Sequence, residues 1–322
     1  MKKILKRVGM GIGAFLLIAI SAIVIKMYVL SPTIRPPKDV KAPQTPESLA
    51  RGKYLAHHVA VCLGCHSPVQ SDKPGDPPHP GKEFSGRDFG QWAGAPFHLR
   101  SPNLTPAGIG NLSDGVILRA MREGIGRDGR VLFPQMPYKT YHDTLSDEDA
   151  LAIIGYLRTV PSVENDPGKT TVNFPVSMFI RMEPKPVDTP ATTPPASDKL
   201  ARGKWLLKTC SCNDCHDGFK EPQHEAIPGK EFSGGFKLDL DEKGHYVIAS
   251  NITSDKATGI GAYSDDDLKR VFNEGKGKDG RDLYMMPWYY FKGMTDEDKD
   301  ALIFALRAVP PVVNVVPKSN KQ

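Results

Sequence analysis

The chain has 322 residues, which is enough for two domains of about 100 to 150 residues each. Its 29 prolines and 30 glycines, with 39% hydrophobic residues, indicate a loop-rich construction. The net charge is +5, but residues 1–48 hold eight Lys and Arg against two acidic residues, so the remainder carries −1. No basic field of the kind that nucleic-acid binding requires is left, and we expect no nucleic-acid partner.

Residues 1–30 are predicted to form a membrane anchor. The uncharged run Val8–Ile25 follows the basic sequence MKKILKR and has the length of a membrane span. The alternative is a signal peptide cleaved near Ala19-Ile20-Ser21. The basic N-terminus favours the cytoplasmic side, so we expect a single pass through the cytoplasmic membrane with the rest of the chain on the periplasmic or extracytoplasmic side.

Beyond the anchor, the sequence contains one unit twice, about 150 residues apart. GKEFSG at 81–86 recurs unchanged at 229–234, and LSDEDALAIIGYLRTVP is echoed by MTDEDKDALIFALRAVP. We therefore predict a proline-rich spacer at 31–48, one domain at 49–161, a proline-rich linker at 162–198, a second domain at 199–314 and a tail at 315–322.

Each copy is predicted to be mostly helical, which makes the fold class all-α. Ser113 and Ser264 have the character of N-caps before apolar residues at helical spacing. Ser146 and Thr295 open a second helix with a pattern like a capping box. No sustained strand alternation competes with these signals.

Two motifs carry the chemistry. CLGCH contains Cys62, Cys65 and His66, and CNDCH contains Cys212, Cys215 and His216. A histidine directly after the second cysteine is typical of covalent haem c attachment, with two thioethers to the porphyrin and an imidazole on the iron. A four-cysteine zinc site would leave both histidines unexplained, and no strand–helix–strand pattern supports a redox dithiol. Two covalently attached haem c groups are predicted.

A methionine in each copy is the predicted sixth ligand of the iron. Met136 and Met286 each stand 70 residues after the motif histidine, and each precedes a proline that favours an extended loop. Methionine is more often core filler, but equal spacing in both copies favours ligation. Met285 and His142 are the rival ligands. The fifth cysteine, Cys210, is expected to be an unpaired structural thiol, with a catalytic or ligand role as the alternative.

Across residues 49–314 these motifs, together with Pro-Asn-Leu-Thr-Pro at 102–106, resemble a known family. Each half resembles a class I cytochrome c, and the pair is similar to cytochrome subunits of periplasmic membrane-bound dehydrogenases such as alcohol and gluconate dehydrogenases. Those subunits carry three haem motifs and this chain carries two. The resemblance implies a tandem repeat of two class I cytochrome c domains behind one transmembrane helix.

The resemblance also implies supporting roles for particular residues. The first and last helices of each copy should cross at Gly52, Tyr54 and Tyr156, and at Gly203, Trp205 and Phe304. The carbonyl of Pro68 should accept a hydrogen bond from His66, whereas the second copy has Asp217-Gly218 at this place, so the two haems are expected to differ. Arg130 and Arg281 face either haem propionates or solvent, and Asn103 and Asn251 either support haem or cap a turn.

The expected function is transfer of single electrons between a dehydrogenase or quinol-oxidising complex and a terminal acceptor, with no catalytic acid, base or nucleophile. The chain is then an electron carrier and not itself an enzyme. The alternative is a dihaem enzyme of the peroxidase or thiosulfate-oxidising type, in which one iron keeps an exchangeable site. A further possibility, compatible with electron transfer, is a subunit of a larger membrane complex that docks through the anchor and the NFPVSMFIRM segment.

Overall fold

A computed structural model describes residues 2–91, 94–220, 225–241 and 243–321. The chain begins with helix α1 (Lys2–Tyr28), an apolar helix whose residues Lys3–Tyr28 are long and apolar enough to cross a membrane. A signal sequence near the N-terminus has the same properties. After α1 come two copies of a helical unit joined by a proline-rich segment.

Among the described residues, the first copy contains six further α-helices, one π-helical turn and two strands. In chain order they are α2 (Pro46–Tyr54), which runs into a π-helical turn (Leu55–Val59), α3 (Cys62–Cys65), β1 (Arg87–Gln91), β2 (Phe97–Ser101), α4 (Pro106–Ile109), α5 (Asp114–Glu123), α6 (Tyr138–Thr144) and α7 (Asp147–Leu157). The joining segment holds β3 (Thr171–Val172), α8 (Val176–Phe179) and a 3-10 turn (Ile180–Met182).

Among the described residues, the second copy follows a similar order, without a helix at the place of α4 and with one more strand pair. It contains α9 (Lys199–Thr209), α10 (Asn213–His216), β4 (Phe219–Lys220), β5 (Glu225–Ala226), β6 (Lys237–Asp239), β7 (Tyr246–Ile248), α11 (Asp265–Glu274), α12 (Trp288–Phe291) and α13 (Asp296–Arg307). Helices α2 and α7 pack together in the first copy, as α9 and α13 do in the second.

The predicted helix starts are confirmed. The side chains of Ser113 and Ser264 accept backbone hydrogen bonds from the first turns of α5 and α11, and Ser264 forms a reciprocal capping box with Asp267. Ser146 and Thr295 cap α7 and α13 in the same way. These local signals need no long-range contact, because the cap and the amide it satisfies lie within one helical turn.

Short antiparallel strands accompany the helices and were not predicted. Strands β1, β2 and β3 form one sheet, in which Val172 of the joining segment pairs with Phe97. Strand pair β6–β7 lies at the matching place in the second copy, and β4–β5 lies where the first copy has a single bridge between Val69 and Pro78. With two or three residues in most of these strands, the alternation that identifies a strand is too short to stand out.

The predicted spacer and linker both pack against the copies. The backbone amide of Ala42 donates to Asp114 at the start of α5, 2.7 Å away, and the carbonyl of Pro43 lies beside Gly155 of α7. In the linker, Thr170 exchanges hydrogen bonds with the backbone of Arg100. Residues 31–48 therefore do not stand free as an extended spacer along their whole length.

The helix crossings depend on glycine. A Cβ on Gly52 would lie 1.9 Å from the carbonyl oxygen of Ala152, and one on Gly203 would lie 2.0 Å from that of Ala301. The predicted crossing at both glycines is confirmed. Phe304 is 51% exposed. It does not pack where α9 and α13 cross, because Ala305 is the residue that faces Gly203.

Each crossing is also held by an ion pair between the same two helices. Arg51 of α2 makes a bidentate contact with Asp149 of α7, at 2.8 and 2.9 Å. Arg202 of α9 makes the equivalent contact with Asp298 of α13, at 2.7 and 2.8 Å. Both aspartates occupy the third position of their helices, so a residue of the capping sequence also fixes the partner helix.

Buried apolar side chains of the two copies form one contiguous cluster, which includes Leu55, Ile153, Leu206 and Leu302. The copies are therefore packed on one another through the core. The division of the chain into two domains stays a prediction that rests on the sequence repeat.

Candidate functional site

Helix α3 brings the three residues of the first motif onto a single turn. The backbone amide of His66 donates to the carbonyl of Cys62, 2.9 Å away, so both cysteines and the histidine face a common side. His66 is 6% exposed, and burial lowers its pKa to about 4, so the ring is neutral. Two thiols and a neutral imidazole on one turn suit covalent attachment of a flat macrocycle with axial ligation of its metal.

The orientation of the His66 ring follows from a hydrogen bond. Its Nδ1 lies 2.8 Å from the carbonyl oxygen of Pro102. A carbonyl can only accept, so Nδ1 carries the proton and Nε2 keeps a free lone pair. This arrangement leaves Nε2 as the metal-binding atom.

The second motif repeats this arrangement. The amide of His216 donates to the carbonyl of Cys212 at 3.0 Å, and Nδ1 lies 2.7 Å from the carbonyl oxygen of Ser250. Ser250 precedes Asn251 as Pro102 precedes Asn103, so the two acceptors are equivalent residues of the repeat. Burial lowers the pKa of His216 as well.

The prediction that Pro68 holds His66 is wrong. The carbonyl of Pro68 accepts from the amide of His79 instead, and the true acceptor, Pro102, lies in a loop 36 residues from His66. With matched acceptors in both copies, the missing proline after His216 gives no reason for the two sites to differ.

Asn103 and Asn251 secure the loops that carry these acceptors. The Nδ2 group of Asn103 donates to the carbonyls of Val163 and Asn165, while its Oδ1 accepts from the amide and hydroxyl of Thr105. Asn251 makes the equivalent contacts with Val312, Asn314 and Thr253. Both asparagines are buried. Each therefore ties the loop after the histidine to the chain that follows the last helix of its copy.

Both predicted methionines lie in matching turns. The amide of Tyr138 donates to the carbonyl of Met136 at 2.7 Å, and the amide of Trp288 donates to that of Met286 at 2.8 Å. Each methionine is half buried and packs against the same apolar cluster as Cys62 and Cys212. Axial ligation by these two thioethers stays a prediction.

The rival ligands differ in their surroundings. His142 contacts the carboxylate of Asp143 through Nδ1, and its Nε2 lies 3.3 Å from the carbonyl of Pro186 in the joining segment. Both ring nitrogens of His142 are thus engaged away from the methionine turn. Met285 is half buried beside Met286, so its position alone does not separate the two.

None of the five cysteines forms a disulfide. Burial raises the pKa of Cys210 well above its usual value, so this thiol is neutral and a poor nucleophile. In the described part of the chain, no three His, Cys, Asp or Glu side chains are grouped as ligands of a bare metal ion. The donor set of each motif thus suits haem c better than zinc.

Arg281 lies beside the acceptor loop of the second site. It donates to the hydroxyl of Ser250 at 3.1 Å, and its buried Nε has no hydrogen-bond partner among the described residues, although the carboxylate of Asp279 lies 3.7 Å away. An anionic group such as a haem propionate would satisfy that nitrogen. In the first copy, Arg130 donates to the carbonyl of Thr170 and pairs with Asp128.

The two motifs lie close to the contact between the copies. The ring of Tyr290, four residues after Met286, lies against Gly64 between the two cysteines of the first motif, and its hydroxyl donates to the carbonyl of Asp76 at 2.6 Å. His58, on the turn that precedes this motif, bonds through Nδ1 to the carbonyl of Tyr290 at 2.8 Å.

Two further hydrogen bonds join the copies, one donated by each copy. Trp205 donates through Nε1 to the carbonyl of Thr144 at 2.8 Å, and Tyr54 donates to the carboxylate of Asp298 at 2.6 Å. Tyr54 and Trp205, which were expected to stay within their own helix crossings, therefore join the two copies. The sequence held one clue to this role, since polar aromatic residues at a buried position need a partner for their donor.

No family model matches the chain. Several curated proteins are similar to it in sequence. The chain is 30% identical to the fructose dehydrogenase cytochrome subunit of Gluconobacter japonicus over 82% of its own length and 53% of that protein. It is 28% identical to the alcohol dehydrogenase (quinone) cytochrome c subunit of Gluconacetobacter polyoxogenes over 84% of its own length and 58% of that protein.

A third relative is the gluconate 2-dehydrogenase cytochrome c subunit of Pantoea cypripedii, at 31% identity over 70% of this chain and 51% of that protein. The chain thus spans about half the length of the curated relatives it matches. In sequence, this chain is similar to the cytochrome subunits of fructose, alcohol and gluconate dehydrogenases.

Proposed function

We propose that this chain is a membrane-anchored cytochrome with two covalently attached haem c groups, one on each motif, that carries single electrons from a dehydrogenase to a downstream acceptor. The observation that supports it best is the matched geometry of His66 and His216. His66 is buried and His216 is half buried, the pKa of each is lowered by desolvation, and each donates through Nδ1 to an equivalent loop carbonyl, so both present Nε2 as a ligand.

When bound, haem c supplies reversible one-electron chemistry at its iron. The residues of this chain hold and tune that group. Cys62, Cys65, Cys212 and Cys215 provide the thioether attachments, and His66 and His216 provide the proximal nitrogen. Hydrogen bonding at Nδ1 increases the electron donation of each imidazole, which favours the oxidised metal.

Met136 and Met286 complete the proposed coordination from the other side. A thioether ligand raises the reduction potential and closes the metal to substrate, which suits electron transfer better than catalysis. The equivalent turns around both methionines support the same role in each copy. The alternative, a dihaem enzyme of the peroxidase or thiosulfate-oxidising type, requires one exchangeable site.

The contact between the copies supports passage of electrons from one haem to the other. Tyr290 belongs to the helix that follows Met286, yet its ring lies on Gly64 of the first motif. The carbonyl of the same residue bonds to His58. A residue that follows Met286 therefore forms part of the surroundings of the first motif, which supports a fixed separation between the two sites.

The proposed location is the outer face of the cytoplasmic membrane, with α1 retained as a single-pass anchor. The length and composition of Lys3–Tyr28 support it. The proposed partners are a dehydrogenase or quinol-oxidising complex as donor and a terminal acceptor, and the relatives named above, all dehydrogenase subunits, support assembly into a larger complex. The function needs no nucleic acid.

A spectroelectrochemical titration with near-infrared magnetic circular dichroism tests this proposal. The full chain should show two one-electron steps and methionine–iron charge-transfer bands, and its mass should include two haems. Met136→Ala and Met286→Ala should each remove one band, while Met285→Ala, the matched control, should leave both. A high-spin ferric signal in the wild-type protein, or peroxide or thiosulfate turnover without a partner, would favour the dihaem enzyme.

A further inference from the structure

The segment between the two copies contacts the end of the membrane helix. Arg181, in the 3-10 turn after α8, donates through Nε to the carbonyl of Met27 at 3.1 Å and through Nη2 to that of Ser31 at 3.0 Å. Its guanidinium carbon lies 5.7 Å from the centre of the Tyr28 ring. Met27 is only 3% exposed, although its neighbours in α1 are exposed, because this segment covers it.

The same segment leaves large apolar side chains uncovered. Phe174 is 72% exposed, Phe179 52% and Met182 44%, and beside them Val29 and Leu30 at the end of α1 are 73% and 58% exposed. We call these five residues the exit patch. Exposed apolar side chains occur singly on most proteins, but five of them on two segments that Arg181 joins indicate an interaction surface.

The attachment to α1 sets the level of the exit patch relative to a membrane. A helix of 27 residues rises about 40 Å at 1.5 Å per residue, whereas the hydrocarbon core of a bilayer is about 30 Å thick. The last turn of α1 therefore reaches the headgroup region. Tyr28 and Arg181, an aromatic and a cationic residue in contact, are side chains that favour this level.

The charged residues around the exit patch also suit the headgroup region of the bilayer. Arg35 and Lys139 pair with Asp188 and Glu183, at 2.6 and 2.7 Å, which removes these two acidic side chains as sources of repulsion from anionic lipid. Arg181 is left with only backbone and aromatic contacts among those described. The surface next to the membrane is thus apolar with a cationic margin.

We propose that the exit patch is a second membrane contact, in which Phe174, Phe179 and Met182 insert into the headgroup and acyl boundary of the leaflet from which α1 emerges. This inference rests on the proposed retention of α1. A helix alone lets the attached copies rotate about its axis, whereas a helix and a lateral apolar contact together fix their tilt. The haem motifs are then held at a constant height and orientation above the membrane.

Spin labels in the haem-loaded full chain test the inference in nanodiscs of phosphatidylcholine and phosphatidylglycerol. Phe179→Cys and Met182→Cys place a nitroxide in the exit patch, and Val315→Cys, at a position 80% exposed in the C-terminal tail, is the matched control. Cys210 is half buried beside the second motif, and labelling of the unmutated chain measures its contribution to the signal. Power saturation with oxygen and with a water-soluble nickel complex measures access from lipid and from water.

The nitroxides at 179 and 182 should be relaxed more by oxygen than by nickel, with a ratio at least several-fold above that at 315. Nickel access equal to that at 315 would overturn the proposal, and so would protection from both reagents, which would mean that protein covers the patch. The mass of the N-terminal peptide shows whether α1 is retained in the mature protein. Loss of α1 refutes the anchor and the patch together, whereas water access with α1 retained refutes the patch alone.

Discussion

Replacement of Asn103 by alanine should weaken both the fold and the first haem site. Asn103 accepts from the amide and hydroxyl of Thr105, a residue with no exposed surface, and donates to the carbonyls of Val163 and Asn165. After truncation the Thr105 amide has no partner, while both carbonyls lie at less buried residues that water reaches. One orphaned buried donor and the lost hydrogen bonds predict a cost of about 2 to 3 kcal/mol.

The same substitution should change the potential of one haem. Without Asn103, the loop that carries the Pro102 carbonyl loses its attachment to the chain after α7, and the hydrogen bond from Nδ1 of His66 loosens. The imidazole then donates less electron density to the metal. The reduction potential of the first site should therefore rise, while that of the second site should be unchanged. Asn251→Ala should raise the reduction potential of the second site alone.

Denaturant unfolding and a spectroelectrochemical titration measure the two effects. Asn111→Ala is the control, because Asn111 is an exposed asparagine of the same region and its loss should stay within about 0.5 kcal/mol. Wild-type stability of Asn103→Ala would show that the loop does not depend on this clamp. A shift of both potentials in each variant would show that the clamps do not act on their own sites.

Three further outcomes are expected. Gly203→Ala should lower the free energy of unfolding by about 3 kcal/mol or more, because the new Cβ meets the carbonyl of Ala301 and the helices must separate; a denaturant midpoint equal to the wild type would contradict this. Burial lowers the pKa of His57 from 6.5 to about 4, so the unfolded chain binds a proton at His57 at a higher pH than the folded chain does. The free energy of unfolding should therefore fall as the pH drops from 6.5 to 4. His57→Gln should flatten that part of the stability profile, and an unchanged slope would exclude His57 as its source. Tyr290→Phe loses its hydrogen bond to the carbonyl of Asp76 and should cost about 1 kcal/mol in the same unfolding assay.

Some expectations failed for an identifiable reason. Pro68 was expected to hold His66 because it lies two residues downstream, but the acceptor is Pro102, in a loop distant in sequence. Phe304 was expected at a helix crossing, and it faces outward while Ala305 takes that place. The first error concerns a contact between residues far apart in the chain, and the second concerns which of two neighbouring residues points inward; the packing of other elements decides both.

The haem motifs, the repeat, the helix caps and the glycine crossings could all be read from the sequence. Cys62, Cys65 and His66 lie within one helical turn, a cap and its amide lie within four residues, and a glycine at a crossing is matched by its counterpart in the other copy, so short-range geometry is sufficient for each. Tertiary structure alone decided the carbonyls that orient the two histidines, the contact of Tyr290 with Gly64 and the attachment of Arg181 to the end of α1. These pairs are 34 to 226 residues apart, and no local pattern specifies a contact whose formation depends on how all the intervening helices pack.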